Sequence, residues 1–272
     1  MKELFKLLNV SKLLKDSHFK KLENERSLKD DRLLQKFESK TYSQNWEDWI
    51  LTEIFSRIWT DSKYFVEFWI QDWTENCTRN LLENWWSWLW IEADKKSHDA
   101  AKEKFKDFNI LLINDFITIK NINSLFEKAK VPNNLDLLVI DIDWNDYWIW
   151  NEITEYSPKV ICMEYNWSYS PNKSWIMPYN ATHEWNWSNN FWASLESYTE
   201  LWFKKWYYLV WCDSQWLNAF FVRKDLVKDN FSNIFEKNNS YHYSYPKYNP
   251  YFFWHPKPFV ISIIKKLNKL WI

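Results

Sequence analysis

The sequence contains no glycine, although a chain of 272 residues ordinarily carries about 19. Turns that need a positive φ depend mainly on glycine, so a folded domain without any is unexpected. Cysteine is also scarce. Cys77, Cys162 and Cys212 are far apart and lack metal-ligand spacing, which is typical of reduced thiols in a cytoplasmic protein. The missing glycine is the absence that requires an explanation.

Long apolar runs and an excess of one charge are missing as well. No run reaches the roughly 18 residues of a membrane-spanning helix, and no signal-peptide pattern opens the chain. The net charge is -1, so no basic field favours nucleic acid. The basic, apolar segment 260–270 predicts at most weak contact with a membrane surface, with packing on the domain as the alternative. We expect a cytoplasmic protein with neither a transmembrane segment nor a nucleic-acid partner.

Tryptophan is in excess, with 23 residues at positions that mostly suit glycine. Trp69 and Trp73 follow a predicted strand and Trp206 precedes another, in turns where glycine would supply the positive φ. Seventeen tryptophans are interpreted as glycine by their context: Trp46, Trp49, Trp59, Trp69, Trp73, Trp85, Trp88, Trp144, Trp167, Trp187, Trp192, Trp202, Trp206, Trp211, Trp216, Trp254 and Trp271. Six are interpreted as genuine: Trp86, Trp90, Trp148, Trp150, Trp175 and Trp185.

Two causes would produce this glycine-to-tryptophan recoding. In one, a gene from a lineage that reads UGA as glycine was translated with a code that reads UGA as tryptophan. The abundance of Lys, Asn, Ile and Phe, with few Ala and Arg, suits the AT-rich genome that this explanation favours. In the other, the substitution was deliberate. Either way, seventeen glycines would restore an ordinary composition.

Between residues 41 and 235, short apolar runs alternate with helical patterns, which predicts a parallel sheet with helices on both faces. Strands are predicted near Tyr64–Phe68, Trp88–Glu92, Ile110–Ile113, Leu135–Asp141, Val160–Tyr165, Tyr207–Trp211 and Ala219–Arg223. Helices are predicted near Thr74–Glu83, Ser97–Phe105, Ile122–Lys130, Asp146–Glu155 and Ala193–Leu201. The last two strands are joined by a turn too short for a crossover helix, so they must pair antiparallel. The pattern predicts an α/β fold with a mostly parallel, seven-stranded sheet.

Two segments flank this predicted domain. Residues 1–40 are charged, with an apolar stripe that indicates a helical extension. Residues 236–272 form a tail that is rich in aromatic residues and ends in a short basic helix. The domain itself is expected to span residues 41–235.

An acid and two glycine positions mark the end of the first predicted strand. Glu67 ends the strand, and Trp69 and Trp73 follow it at two and six residues. A glycine at the first position lets the backbone approach a bound nucleoside, and one at the second lets the loop turn into a helix. Phe68 and Asp72 complete the loop. The alternative is an ordinary strand-to-helix turn.

The next two strands also end in candidate binding residues. Glu92 ends the second strand, where an acid accepts hydrogen bonds from both hydroxyls of a ribose. The alternative is a solvated acid at a strand end. Asp115 and Phe116 follow the third strand, where a carboxylate and an aromatic ring would contact an adenine by hydrogen bonding and stacking.

Acids cluster after the fourth and fifth strands. Asp141 and Asp143 lie where α/β sheets bind ligands, and they could position a substrate, act as a base or hold a cation. Asp146 is interpreted as the N-cap of the following helix. Glu164 ends the fifth strand in the same crevice. His183, in a later loop, is a candidate general base for a hydroxyl acceptor, although an incidental loop position is the alternative.

With glycine restored, residues 42–222 resemble FkbM-type methyltransferases. The resemblance is carried by residues 42–49, the Glu67–Trp73 loop, Glu92, the Leu138–Asp146 segment and residues 164–166. It implies a Rossmann-like class I methyltransferase fold with one antiparallel strand near the C-terminus. It also implies S-adenosylmethionine (SAM) as cofactor and O-methylation of a sugar or another small hydroxyl acceptor.

The residue patterns and the resemblance together give the expected site roles. The expected cofactor contacts are Glu67, Phe68, Trp69, Asp72, Trp73, Glu92, Asp115, Phe116 and Asp141. Asp143 and His183 are the expected catalytic residues, and no residue is assigned to a metal. One departure stands out, because this chain has Asp141-Ile142-Asp143-Trp144 where the family often has aspartate, isoleucine, glutamate and glycine.

Two other functions stay open at this stage. The chain could be a non-catalytic Rossmann-like binding domain, because fold does not fix function. An NAD-dependent oxidoreductase is the weaker alternative, because its glycine fingerprint has a different spacing. Since Trp69 and Trp73 would place indole rings in the cofactor's cradle, the chain as written is expected to be inactive.

Overall fold

The computed structural model describes residues 32–43, 46–71, 73–108, 110–169, 173–182, 190–213 and 217–231. Within these ranges, the strands are β1 (Tyr64–Phe68), β2 (Ser87–Glu92), β3 (Ile110–Asn114), β4 (Leu137–Ile140), β5 (Val160–Glu164), β6 (Tyr207–Cys212) and β7 (Asn218–Arg223). The helices are α1 (Glu47–Ile58), α2 (Arg79–Glu83), α3 (Lys95–Lys104), α4 (Ile122–Lys128), α5 (Asp146–Glu152), α6 (Leu195–Lys204) and α7 (Lys224–Val227). A 3₁₀ turn, Gln35–Phe37, precedes them.

The seven strands form one sheet in the order β3-β2-β1-β4-β5-β7-β6. Strands β1 to β5 pair in parallel, and β7 pairs antiparallel with both β5 and β6. The chain builds outward from β1 to β3 and then returns to the centre with β4. This layout is the Rossmann-like class I methyltransferase fold, and it confirms the fold class predicted from the sequence.

The sheet is buried on both faces, which explains why its strands are almost wholly apolar. Side chains alternate along β1: Val66 and Phe68 pack with α4, α5 and α6, whereas Phe65 packs with α1, α2 and α3 on the opposite face. A carboxylate within or directly after such strands is therefore conspicuous. Glu67, Glu92 and Glu164 all lie at or next to the carboxyl ends of their strands, along one edge of the sheet.

The predicted strands all occur, with boundaries within two residues. The predicted helix Thr74–Glu83 is wrong in its first half, because the helix begins only at Arg79. The Thr78 hydroxyl donates to the buried Glu67 carboxylate, so this part of the chain serves the acid instead of continuing a helix. The helix α1 was not predicted.

Left-handed backbone falls mainly on tryptophan. Twelve described residues have a positive φ, and seven of them are Trp46, Trp59, Trp69, Trp73, Trp85, Trp192 and Trp206. All seven belong to the group interpreted as glycine. None of the described tryptophans interpreted as genuine has a positive φ. At Trp69 and Trp206, with φ of 55° and 73°, the turn makes the conformational demand that glycine meets without strain.

The backbone does not mark every position of that group. Trp202 lies inside α6, where its ring stacks at 4.5 Å on both Trp150 and Phe221. The other members of the group with ordinary φ are Trp49, Trp88, Trp144, Trp167 and Trp211. Trp185, Trp187, Trp216, Trp254 and Trp271 lie outside the described residues.

Several indoles of the glycine group are poorly accommodated. Trp59, Trp85 and Trp206 expose 76%, 90% and 62% of their surface. The buried indole N–H groups of Trp88 and Trp202 have no hydrogen-bond partner within the described residues, and the same holds for Trp150 of the genuine group. Large rings in water and unpaired buried donors are both unfavourable.

The predicted terminal segments fall largely outside the described residues, so the boundaries at residues 40 and 235 stay predictions. Of the described N-terminal residues, Leu34 is buried and packs with α1. No helix in the described part of the chain is long and apolar enough to cross a membrane.

Candidate functional site

The candidate site lies at the carboxyl ends of the parallel strands. The order of the sheet reverses between β1 and β4, so the loops that follow these strands diverge and leave a crevice. The loop after β1 borders the cleft next to β2, and the loop after β4 carries the aspartates. This edge collects most of the predicted site residues.

Glu67 is buried at the centre of this edge and is held by donors from the protein itself. Its Oε2 accepts hydrogen bonds from the Thr78 hydroxyl and, at 3.2 Å, from Nε1 of Trp90. Burial raises the pKa of Glu67 to about 7, although these donors act in the opposite direction. Glu67 therefore titrates near neutral pH and braces the loop after β1.

The other residues of the β1 loop contribute unequally. Phe68 is buried in the core, 6.1 Å from the Phe126 ring, so its side chain does not line the cleft. The ring of Trp73 packs edge-on against Phe105 on the opposite face of the sheet. This ring therefore does not line the open cleft, and the expected role of Trp73 in the cofactor's cradle stays a prediction. Asp72 lies outside the described residues.

An open cleft of about 490 Å³ lies beside this loop. Its walls are formed by Trp69, Gln71, Glu92, Ala93, Asp94, Ser97 and Phe116. Glu92 accepts the backbone N–H of Gln71 at 2.9 Å and that of Asp94 at 2.7 Å. Because a carboxylate accepts about four hydrogen bonds, Glu92 retains capacity for a ligand. Its pKa is raised, mainly by burial.

The lining residues Gln71, Asp94 and Ser97 were not assigned from the sequence. Gln71 has a positive φ, which turns its N–H toward Glu92. Asp94 caps α3 by accepting the Ser97 N–H at 2.7 Å. An aspartate three residues before a serine at a helix start was the available signal.

Two indole rings nearly close the crevice between β1 and β4. The rings of Trp69 and Trp144 meet edge-on with centroids 4.8 Å apart, and Phe116 stacks on Trp144 at 6.2 Å. The cavity left among them is about 20 Å³. Asp115 and Phe116 line this cavity, and 40% of Phe116 is exposed. The ring of Trp69 therefore lies inside the crevice, and its place in a cofactor site stays a prediction.

Asp141, Asp143 and Glu164 come together at the ends of β4 and β5. One carboxylate oxygen from each lies within 4.8 Å of those of the other two. Burial raises the pKa of all three, and neighbouring carboxylates raise those of Asp141 and Glu164 further. Asp143 has a left-handed backbone with φ of 66°. We refer to these three residues as the acid cluster.

The sequence predicted Asp146 as the N-cap of α5, and this prediction is wrong. Asn145 occupies the N-cap position, and Asp146 is the first residue of the helix. The Oδ1 atom of Asp146 instead accepts the Ile142 N–H at 3.0 Å, across the loop that carries Asp141 and Asp143. Burial raises the pKa of Asp146 to about 8. His183 lies outside the described residues.

Comparisons with known proteins give likenesses in structure only. No family model matches the sequence, and no curated protein matches it. The N-terminal domain of EvdMO1 with SAH bound aligns at a TM-score of 0.44 and 11% identity, over 66% of this chain and 80% of that chain. The glycopeptide N-methyltransferase MtfA, in complexes with SAM and with sinefungin, aligns at a TM-score of 0.37 and 9% identity. The alignments cover 64% of this chain and 85–86% of that chain.

A third similar structure is the bifunctional kinase-methyltransferase WbdD. It aligns at a TM-score of 0.37 and 10% identity, over 64% of this chain but only 38% of that chain. These likenesses are too weak to carry an argument about function. The fold assignment rests on the strand order of the chain itself.

Proposed function

We propose that this chain, with the seventeen assigned tryptophans as glycine, is a SAM-dependent methyltransferase that acts on a sugar or another small hydroxyl acceptor. We call that sequence the glycine form and the present sequence the tryptophan form. The observation that carries the proposal is Glu92, a carboxylate at the end of β2 in the wall of a nucleoside-sized cleft. This is where ribose hydroxyls are bound in such folds.

The neighbouring residues support a nucleoside in the same cleft. Phe116 presents a partly exposed ring at the wall, suited to stack on a base. Asp115 lies beside it with a carboxylate for the base's amino group. Glu67 and Asp141 lie further along the strand ends, toward the position expected for the positively charged amino-acid end of the cofactor. All of these roles belong to the proposal.

The tryptophan form does not fit this cofactor. The rings of Trp69 and Trp144 meet in the crevice next to the open cleft and leave only about 20 Å³ there. A glycine at each position removes both rings and connects the two spaces. The left-handed backbone of Trp69 supports glycine there independently of any ligand.

In the proposed reaction, the acceptor oxygen bonds to the methyl carbon as the carbon–sulfur bond breaks, which leaves S-adenosylhomocysteine and a methyl ether. The hydroxyl proton must pass to a base. Asp143, whose pKa is raised by burial, and His183 are the candidates from this chain. A cofactor-binding domain without transfer activity is the competing function.

Calorimetry on both forms tests this proposal. We expect the glycine form to bind SAM with micromolar affinity, a binding free energy of about -8 kcal/mol. The tryptophan form should show no binding. Transfer from methyl-labelled SAM to a panel of sugars then separates an enzyme from a binding domain. A well-folded glycine form that binds neither SAM nor its demethylated product would contradict the proposal.

The coding DNA tests the recoding by itself. If the chain arose by translation with the wrong code, all seventeen assigned codons are UGA and the six others are UGG. A UGG codon at any assigned position would contradict mistranslation at that position. Codons that are UGG throughout, against a related gene with glycine codons, would indicate deliberate substitution.

A further inference from the structure

The acid cluster is built from two neighbouring strands. Ile140 pairs with Met163 in the parallel register, so the residues that follow, Asp141 and Glu164, lie side by side at the sheet edge. Asp143 joins them from the loop, and in each of the three pairs the carboxylate oxygens lie within 4.8 Å of each other. Three carboxylates at this separation repel one another unless a proton or a cation lies between them.

Asp146 provides a second observation. Its side chain is fully buried, and Oδ2 has no hydrogen-bond partner within the described residues. Its other oxygen is tied to the N–H of Ile142, the residue between Asp141 and Asp143, which holds the carboxylate against the cluster's own loop. The charge of Asp146 also acts on Asp141 and Glu164. A buried carboxylate oxygen without a donor is costly, and either a proton on Asp146 or a cation at the neighbouring cluster would offset that cost.

We propose that Asp141, Asp143 and Glu164 bind a divalent cation, with Asp146 as a supporting carboxylate beneath it. The donors are oxygen atoms only, which favours a hard ion such as Mg²⁺, Mn²⁺ or Ca²⁺ over zinc. Several water positions would complete the coordination, as is usual for Mg²⁺. The sequence pattern had left a cation open as one of three roles for Asp141 and Asp143.

The position of this site indicates a role in binding the methyl acceptor, and this role rests on the proposed function. The loop that carries Asp141 and Asp143 also carries Ile142 and Trp144, which line the small space next to the cofactor cleft. In the glycine form, the acid cluster would then lie near the proposed position of the methyl acceptor. A cation held there would bind the acceptor's hydroxyl group and favour loss of its proton. The preferred acceptor class is then a molecule with two adjacent oxygen atoms, such as a vicinal diol of a sugar.

Metal binding is measured with MnCl₂ alone, by the loss of the electron paramagnetic resonance signal of free Mn²⁺. The full-length chain is used in both forms, because the acid cluster is present in each. We expect one ion per chain in any form that melts cooperatively, and competition by Mg²⁺. The double variant Asp141→Asn/Glu164→Gln should bind at least about 10-fold more weakly.

Asp225→Asn is the matched control, because Asp225 is an exposed acid that is paired with Arg223. Arg223 ends the antiparallel strand β7 next to the beginning of β5, at the sheet edge opposite the acid cluster. This variant should bind Mn²⁺ unchanged. The melting temperature provides a second readout: Mn²⁺ should raise it in the parent and the control but not in the double variant. A folded parent without a bound ion, or a double variant that binds equally well, would overturn the site.

The metal proposal and the methyltransferase proposal fail separately. Methyl transfer that is unchanged in excess EDTA by the glycine form would overturn the metal site's role and leave the proposed function intact. Mn²⁺ bound at one ion per chain without any SAM binding would support the site and contradict the proposed function.

Discussion

The cofactor cleft and the acid cluster lie at the same edge of one sheet, yet they treat their carboxylates differently. At the cleft and the strand end next to it, the protein supplies the donors. Glu92 in the cleft wall accepts two backbone N–H groups, and the buried Glu67 accepts a hydroxyl and an indole N–H. In the cluster, burial and the negative charges of neighbouring acids raise the pKa of Asp141 and Glu164. The protein therefore supplies donors to the carboxylates of the first region, whereas burial and neighbouring acids raise the pKa of those in the second.

The two regions also differ in access. The cleft beside Glu92 is open, with about 490 Å³, while the space beside Ile142 and Trp144, on the loop that carries the aspartates, is only about 20 Å³. Both indoles come from positions that the sequence assigns to glycine. The contrast between an open and a closed region therefore depends on the identity of two residues.

Restoring glycine at the assigned positions removes both indoles, and it should have the largest effect, on the folding stability of the whole chain. We expect the tryptophan form, made in a standard-code host, to be insoluble or molten, and the glycine form to melt cooperatively. Each bulky residue in a glycine conformation costs on the order of 1–3 kcal/mol. Seven left-handed tryptophans are therefore comparable with a whole domain's stability of about 5–15 kcal/mol.

Circular dichroism melts and light scattering on both forms check this prediction. The variant with Trp86→Gly, Trp90→Gly and Trp150→Gly serves as a control in the glycine form, because these residues are interpreted as genuine. It should lose stability by cavity formation. A cooperative melt together with SAM binding in the tryptophan form would show that the glycine assignments are wrong.

The sequence carried the fold further than the site. Strand order followed from alternating apolar runs and one short turn, because strands buried on both faces must be apolar and a short turn cannot cross the sheet. Glu67, Glu92 and Asp141 were found because each interrupts such a pattern at a strand end. The direction of side chains was less accessible: Phe68 and Trp73 lie in the assigned loop, yet their rings point into the core.

What the sequence missed depends on contacts between distant residues. The unwound stretch before α2 follows from the hydrogen bond of Thr78 to Glu67, which local helix propensity does not contain. The Asp146 side chain turns back to Ile142 instead of capping its helix, since the buried loop offers an N–H there. The meeting of Glu164 with Asp141 requires the register of two parallel strands.

A second prediction sharpens the contrast on the acid-cluster side. In the glycine form, Asp143→Asn should lower the methyl-transfer rate by about 10²–10⁴-fold, because the step loses its base or a ligand of the proposed cation. SAM affinity should change little, since Asp143 is not among the residues lining the open cleft. Rate and affinity are measured on the same preparation. Equal losses in both would place Asp143 in the cofactor site instead.

A third prediction concerns pH and Glu67. Its pKa is raised to about 7 in the fold from an ordinary value near 4.5, so the folded chain binds the proton more tightly than the unfolded chain. The resulting stability is fully present below about pH 4.5 and is lost as pH rises through about 7. Glu67→Gln should remove this loss, which is on the order of 3 kcal/mol. Urea melts of the glycine form from pH 4.5 to 8.5 measure it.

Glu53→Gln is a suitable control for that pH series, because Glu53 is a partly exposed acid on α1, paired with Arg57. Its variant should keep the parent's loss of stability with rising pH. If the Glu67→Gln protein loses stability between pH 4.5 and 7 as steeply as the parent, then Glu67 is not the group that titrates. The loss of stability with rising pH would then come from the buried carboxylates of the acid cluster.

The smallest expected effect belongs to Glu92, and it separates binding from folding within the cleft. Glu92→Ala in the glycine form should weaken SAM by about 1–3 kcal/mol, or roughly 5–150-fold, because ribose hydroxyls lose a charge-assisted partner. The N–H groups of Gln71 and Asp94 would turn to water, which reaches this open cleft, so the melting temperature should fall only modestly. Asp225→Asn, which changes an exposed acid that does not line the cleft, is the matched control and should bind SAM as the parent does. Calorimetry that finds unchanged affinity for Glu92→Ala would remove Glu92 from the site, and the proposed function would lose the observation that carries it.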